Sequence, residues 1–193
     1  MNTINVYIEN YGCSANQNNG EIMAGLLERA GFMIVNNPKN SDLIIINSCI
    51  VKGPTLQKIT HRIKELYNSE KKVIVSGCMP DVMSKRISML HPKASMLGSH
   101  HVAEIVNVTK HLLEGRKEVI TSKNKEIHLA KPKIYSRKVI GISQISEGCL
   151  GSCSYCIVKF ARGSLFSYSI EDIIKNIKQD LSAGCKEIWI TSQ

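Results

Sequence analysis

Leu43-Ile44-Ile45-Ile46 is an unbroken apolar run, and it restricts the fold more than any other feature of the chain. A strand that is apolar at every position must be covered on both faces, as in a parallel sheet sandwiched between helices. The flanking sequence supplies those helices. Strand-like segments at 4–8, 32–35, 43–47, 73–75 and 94–97 alternate with helical stripes. One stripe is Ile22, Met23, Leu26 and Leu27, closed by Gly31; another is Leu56, Ile59, Ile63 and Leu66, opened by Pro54. Met83, Ile87 and Leu90 mark a short third helix, and Val102, Ile105, Val106, Leu112 and Leu113 a closing one. Apolar residues three, four and seven apart line one helix face, and proline is tolerated in a first turn. The alternation predicts an α/β fold, a doubly wound parallel sheet (Rossmann/flavodoxin-like) over residues 1–115.

The composition then changes. Residues 116–138 hold eight Lys/Arg (Arg116, Lys117, Lys123, Lys125, Lys131, Lys133, Arg137 and Lys138) against two Glu, most of the chain's net charge of +9. Two readings stand side by side: a solvated basic linker, or a strip that faces a polyanion such as RNA. A new unit starts at 139. Residues 139–145 read as a strand, Ile170, Ile173, Ile174, Ile177 and Leu181 as a helical stripe with Ser169 as its N-cap, and 187–191 as a second strand. One βαβ unit cannot cover both faces of its own sheet, so residues 139–193 are expected to leave an apolar sheet face exposed and to be the start of a larger domain.

Seven cysteines are an odd number, and Met1 to Asn5 do not begin a basic segment followed by an apolar core, so an intracellular chain without a disulfide framework is expected. No apolar run approaches the roughly 18–20 residues of a membrane span. Cys149, Cys153 and Cys156 form C-x3-C-x2-C between strand and helix, with Gly148 and Gly151 allowing a tight loop. Three local thiols suit an iron–sulfur cube with one open iron better than a four-ligand structural zinc, though zinc remains an alternative. Cys13, Cys49 and Cys78 are far apart in sequence, yet each follows a predicted strand of the first sheet. Parallel strands send their carboxyl ends to one edge, where doubly wound folds bind ligands, so the three can share a site. The alternative is three unrelated small buried residues. Asn16, Ser48 and Lys52 are placed either to tune such a site or to hold its loops. Cys185 reads as a structural thiol, and His100-His101 as surface residues at a helix start.

The fuller string Ser146-Glu147-Gly148-Cys149, Cys153-Ser154-Tyr155-Cys156-Ile157-Val158, Ala161-Arg162-Gly163 resembles the radical S-adenosylmethionine (SAM) enzymes, and among them the methylthiotransferases. Tyr11-Gly12-Cys13-Ser14-Ala15-Asn16, Asn47-Ser48-Cys49-Ile50-Val51-Lys52 and Ser76-Gly77-Cys78-Met79-Pro80 are similar to the three cysteine motifs of that family's N-terminal domain. The resemblance implies two [4Fe–4S] clusters, an auxiliary one on Cys13, Cys49 and Cys78 and a SAM-binding one on Cys149, Cys153 and Cys156. It implies Tyr155 beside the SAM adenine, residues 139–193 as the first part of a partial (β/α) barrel, and an electron donor such as a ferredoxin or flavodoxin. Lys159 and the strings around Cys49 and Ile190-Thr191-Ser192-Gln193 look most like the archaeal and eukaryotic branch. That branch inserts sulfur and methyl at C2 of N6-threonylcarbamoyladenosine next to the anticodon of tRNA, in the cytoplasm. Isopentenyladenosine in tRNA and a ribosomal-protein aspartate are the family's other substrates. A non-catalytic metal-cluster module binding nucleic acid is the competing class. The 193 residues alone are expected to assemble the first cluster and not to turn over.

Overall fold

The computed structural model describes residues 3–121 and 128–192. The first unit runs β1 (Asn5–Asn10), α1 (Ser14–Arg29), β2 (Met33–Ile34), β3 (Leu43–Ser48), α2 (Gly53–Tyr67), β4 (Lys72–Gly77), α3 (Cys78–Leu90), β5 (Ser95–Gly98), α4 (Ile105–Leu113) and β6 (Val119–Ile120). Its strands lie in the order β2-β1-β3-β4-β5-β6, and every pair is parallel. This is the doubly wound arrangement in which the strand order reverses between β1 and β3. The sixth strand falls inside the segment read as a basic linker, so the sheet extends further than residue 97.

Side chains alternate across the apolar run, as a strand requires. Ile44 and Ile46 join Val73, Val75 and Met96 beneath Ile59, Ile63 and Leu66 of α2 and Met79 and Ile87 of α3. Leu43 and Ile45 face the other way, with Val6, Ile74 and Leu97, under Ile22, Met23 and Leu27 of α1 and Ile105, Val108 and Leu112 of α4. Both faces are thus covered by helices, and the strand carboxyl ends are left at one edge.

The second unit holds β7 (Ile140–Glu147), α5 (Ile157–Arg162), β8 (Phe166–Ser167), α6 (Ile170–Ser182) and β9 (Glu187–Ser192). β7 pairs parallel with β9 and antiparallel with β8. The expected βαβ is present, with Ser169 Oγ accepting the Asp172 amide at 3.1 Å as the helix cap. Two elements were not legible in advance: the short helix α5 and the strand β8. α6 also turns differently from its pattern. Its buried positions are Asn176 and Asp180, while Ile170 and Leu181 of the apolar stripe are exposed.

Residues 128–138 strap the two units together. Ile134 N–H donates to the Glu21 carbonyl at 3.0 Å, Ser136 Oγ donates to Glu21 Oε1 at 2.6 Å, and Gln179 Nε2 donates to the Lys131 carbonyl at 2.8 Å. Among the described residues no helix is long and apolar enough to cross a membrane.

Candidate functional site

Three cysteines stand at the carboxyl edge of neighbouring strands. Cys13 is the N-cap of α1 just past β1, Cys49 follows β3 directly, and Cys78 is the first residue of α3 after β4. β1, β3 and β4 are adjacent, so the topology alone brings the three loops together at the point where the strand order reverses. Gly12 makes the closest approach possible. Its φ is +131°, and a Cβ there would stand 2.8 Å from Cys49 Cβ. Cys49 and Cys78 are buried and Cys13 is exposed. Burial pushes the Cys78 thiol up, the neighbouring Cys13 and Cys49 push it the same way, and Arg162 pulls it down. A cavity of about 260 Å³ opens beside them, lined by Gly12, Cys13, Cys49, Val51, Lys52 and Thr55.

The polar neighbours stitch these loops. Asn16 Nδ2 donates to the carbonyls of Tyr11 at 3.1 Å and Ser48 at 2.8 Å. Ser48 Oγ donates to the Ser76 carbonyl and accepts the Met79 amide at 3.1 Å. Asn16 and Ser48 therefore hold the loops, and Asn16 also lies with its Oδ1 3.9 Å from Cys78 Sγ. Lys52 sits on the cavity wall.

Cys149, Cys153 and Cys156 lie on the loop between β7 and α5, the first two exposed and the third partly buried at the N-cap of α5. The sulfurs of Cys149 and Cys153 both face Gly151, whose amide donates to Cys149 Sγ at 3.3 Å. Cys149 N–H donates to the Gly163 carbonyl at 3.2 Å, and Lys159 Nζ donates to the Cys149 carbonyl, so the loop is fastened to the middle of α5 and to the residue that ends it. Gly148, at φ +77°, passes so close to the Ser164 carbonyl that any Cβ would overlap it. Tyr155 projects outwards and is 89% exposed. Among the described residues no three His, Cys, Asp or Glu side chains are gathered tightly enough for a single ion. An all-thiol set of three suits a cube, whose ligands stand on separate irons and hence further apart.

Between the two cysteine sites lies a buried ionic cluster that sequence reasoning missed. Arg162, at the end of α5, is 0% exposed. Its Nη2 donates to Asn16 Oδ1 at 2.7 Å, and its Nη1 lies 3.5 Å from Glu147 Oε2. Glu147 also meets His100 Nδ1 at 3.2 Å and accepts the Tyr168 hydroxyl at 2.6 Å. Burial pushes the Glu147 carboxyl up, but His100, Arg162, His128 and Tyr168 outweigh it and hold it at about 2. His100 and His101 were expected at the surface and are instead buried. For His100 its own element carries no signal of this, because its partner Glu147 belongs to the second unit. Arg162 stood in a family-like motif but was given no role.

The basic segment is only partly a free face. Lys133 is corrected outright: its side chain is fully buried, with Nζ 3.0 Å from Asp180 Oδ1 and 2.9 Å from the Ile142 carbonyl. It serves the second unit's core and cannot meet RNA. Arg116 pairs with Glu114, Lys117 Nζ donates to the Pro92 carbonyl at 2.9 Å, and the Arg137 guanidinium lies 5.4 Å from the Trp189 ring centre. Lys131 is half-buried and Lys138 exposed, while Lys123 and Lys125 fall outside the described residues. Cys185 is buried, as a structural thiol should be.

A parallel sheet with three thiols at its switch point, followed by a thiol-rich loop after the next parallel strand, defines a recognisable class. Residues 5–98 match the family model described as "Uncharacterized protein family UPF0004". Over its whole length the chain is similar to threonylcarbamoyladenosine tRNA methylthiotransferases. It is 42% identical to the Pyrococcus abyssi protein named "Probable threonylcarbamoyladenosine tRNA methylthiotransferase", over 98% of this chain and 45% of that one. It is 33% identical to the human "Threonylcarbamoyladenosine tRNA methylthiotransferase", over 97% of this chain and 33% of that one. The chain thus spans less than half the length of these relatives. The likeness to the methylthiotransferase family read from the cysteine motifs extends along the entire sequence. In fold, the chain resembles the radical S-adenosylmethionine methyltransferase TsrM from Kitasatospora setae, with a TM-score of 0.59 and 12% identity, covering 100% of this chain and 48% of that one.

Proposed function

We propose that this chain is the cluster-bearing part of a radical SAM methylthiotransferase acting on N6-threonylcarbamoyladenosine in tRNA, in the cytoplasm. The observation that carries the reading is the pair of three-thiol sites on two docked units, each one ligand short of closure. Cys13, Cys49 and Cys78 would hold one [4Fe–4S] cluster, and Cys149, Cys153 and Cys156 the other, with Tyr155 placed to lie against the SAM adenine. When bound, these groups would supply the radical that an unactivated aromatic C–H bond requires, and the sulfur and methyl that replace its hydrogen.

The chain's own residues prepare the sites. Ligation needs thiolates, and burial disfavours the Cys78 thiolate while the adjacent Arg162 favours it. Asn16 and Ser48 fix the three loops before any cluster arrives. The Arg162–Glu147–His100 cluster and the 128–138 strap lock the units together. Arg116, Lys117, Arg137 and Lys138 are the exposed basic residues of the described segment that could meet the RNA backbone, with Lys131 half-buried.

Iron and acid-labile sulfide counts after anaerobic reconstitution test the cofactors. About eight of each per chain are expected for two cubes, whereas one or two zincs without sulfide would sink the reading. Mass spectrometry of tRNA nucleosides tests the substrate. Cells lacking the protein should lose methylthiolated threonylcarbamoyladenosine and accumulate threonylcarbamoyladenosine without the methylthio group.

A further inference from the structure

A fully buried guanidinium needs compensation close by. Among the described residues Arg162 has one carboxylate at ion-pair distance, Glu147 at 3.5 Å, and that carboxylate also serves His100 and Tyr168. Its shortest contact, Asn16 Oδ1 at 2.7 Å, is to a neutral amide. The guanidinium also lies against Cys78, with Cys13 and the buried Asp81 within electrostatic reach. Asn16 Oδ1, which takes the shortest contact, also lies 3.9 Å from Cys78 Sγ, so the guanidinium is seated directly behind the first thiol site.

Position adds a second argument. α5 has six residues, about 9 Å at 1.5 Å per residue. Cys156 caps its start and Arg162 ends it. Gly163, the next residue, accepts the Cys149 amide. One short rigid rod thus joins the two thiol sites, and the guanidinium is its contact with the first.

We infer that Arg162 is a positioning residue coupling the two sites, its guanidinium supplying positive charge to the group held by Cys13, Cys49 and Cys78 while α5 fixes the 149–156 loop against that group. The inference rests on the two-cluster reading. It has a signed consequence. A reduced cluster carries one more negative charge than an oxidised one, so nearby positive charge favours reduction and nearby negative charge opposes it.

The test is an anaerobic redox titration, followed by electron paramagnetic resonance, of the full-length protein in which Cys149, Cys153 and Cys156 are replaced by Ala so that only the first cluster is read. Arg162→Gln should raise the oxidised-to-reduced ratio at fixed poise at least tenfold, equivalent to about 59 mV towards more negative potential for one electron. Arg162→Lys should retain most of the parent value. Glu147→Gln should move the potential the opposite way. Altered packing alone would not give shifts of opposite sign from two partners of one ion pair. Should Arg162→Gln fail to load, the direction of the Glu147→Gln shift decides. A parent protein that takes up no iron and sulfide overturns the two-cluster reading. A loaded parent whose potential is indifferent to Glu147→Gln and, where that variant loads, to Arg162→Gln overturns this inference alone.

Discussion

Gly12 shows how one backbone position assembles a site. Its φ of +131° is outside the range that side-chain-bearing residues adopt readily, and a Cβ would meet Cys49 Cβ at 2.8 Å and Asn16 Nδ2 at 3.0 Å. Gly31 has φ +90° and nothing within 4 Å of the same built atom. Gly31→Ala should therefore cost only backbone strain, about 1–2 kcal/mol, and Gly12→Ala about 2–5 kcal/mol because overpacking is added. Urea denaturation of the two variants compares them, and equal losses would mean that the Cys49 contact is relieved at no cost. Gly12 was visible in the sequence as a loop residue beside a cysteine. Arg162 and His100 were not visible as a pair, since periodicity reports which face of an element is apolar and never which distant element will cover it. The six proposed ligands lay between these cases. Their loops follow from strand ends in a parallel sheet, while their distances depend on contacts such as that of Gly12 with Cys49.

At the scale of elements, α6 is the informative case. Its helical period and its Ser169 cap were readable, but its orientation was not. β7 presents Gly141 and Ser143 to the helix. A Cβ at Gly141 would stand 2.7 Å from Asp180 Cβ, and Asn176 Nδ2 donates to Ser143 Oγ at 3.1 Å. Small and polar strand residues thus admit the polar side of α6, and Lys133 enters from the strap to neutralise Asp180. Both partners of this pair are wholly buried, so removing one strands the other's charge. Asp180→Ala should lose about 3–5 kcal/mol, and the double change Lys133→Met with Asp180→Leu should lose less than that single change because no orphan charge remains. Chemical denaturation of the three proteins measures the difference. A double variant weaker than Asp180→Ala would show that Lys133 acts through its contact with the Ile142 carbonyl and not through the ion pair. The same burial explains why the basic segment misled: charge counted along a sequence does not separate a solvated lysine from one that closes a core.

The whole molecule is held together by ionisable groups between its units, and this makes its cohesion sensitive to pH. His128 lies in the strap and is 1% exposed. Burial lowers it to about 4, against the pull of Glu147 in the other direction. Its free value is about 6.5, so between pH 6.5 and 4 the unfolded chain binds a proton that the folded one refuses. Stability from this group is complete above pH 6.5 and declines as the pH falls towards 4. Lowering the pH from 7 to 5 should cost about 2 kcal/mol through His128 alone. Glu147 contributes nothing to that slope. Held at about 2 against an ordinary 4.5, it remains ionised throughout, and its own loss begins only below pH 4.5. His91 is also lowered, chiefly by burial, so it adds a slope of the same sign that persists when His128 is replaced. His128→Asn should therefore flatten the stability–pH curve between 7 and 5 by about 2 kcal/mol without abolishing it. Urea titrations at half-unit intervals give that curve, and an unchanged slope in the variant would mean that His128 takes up its proton within the folded protein.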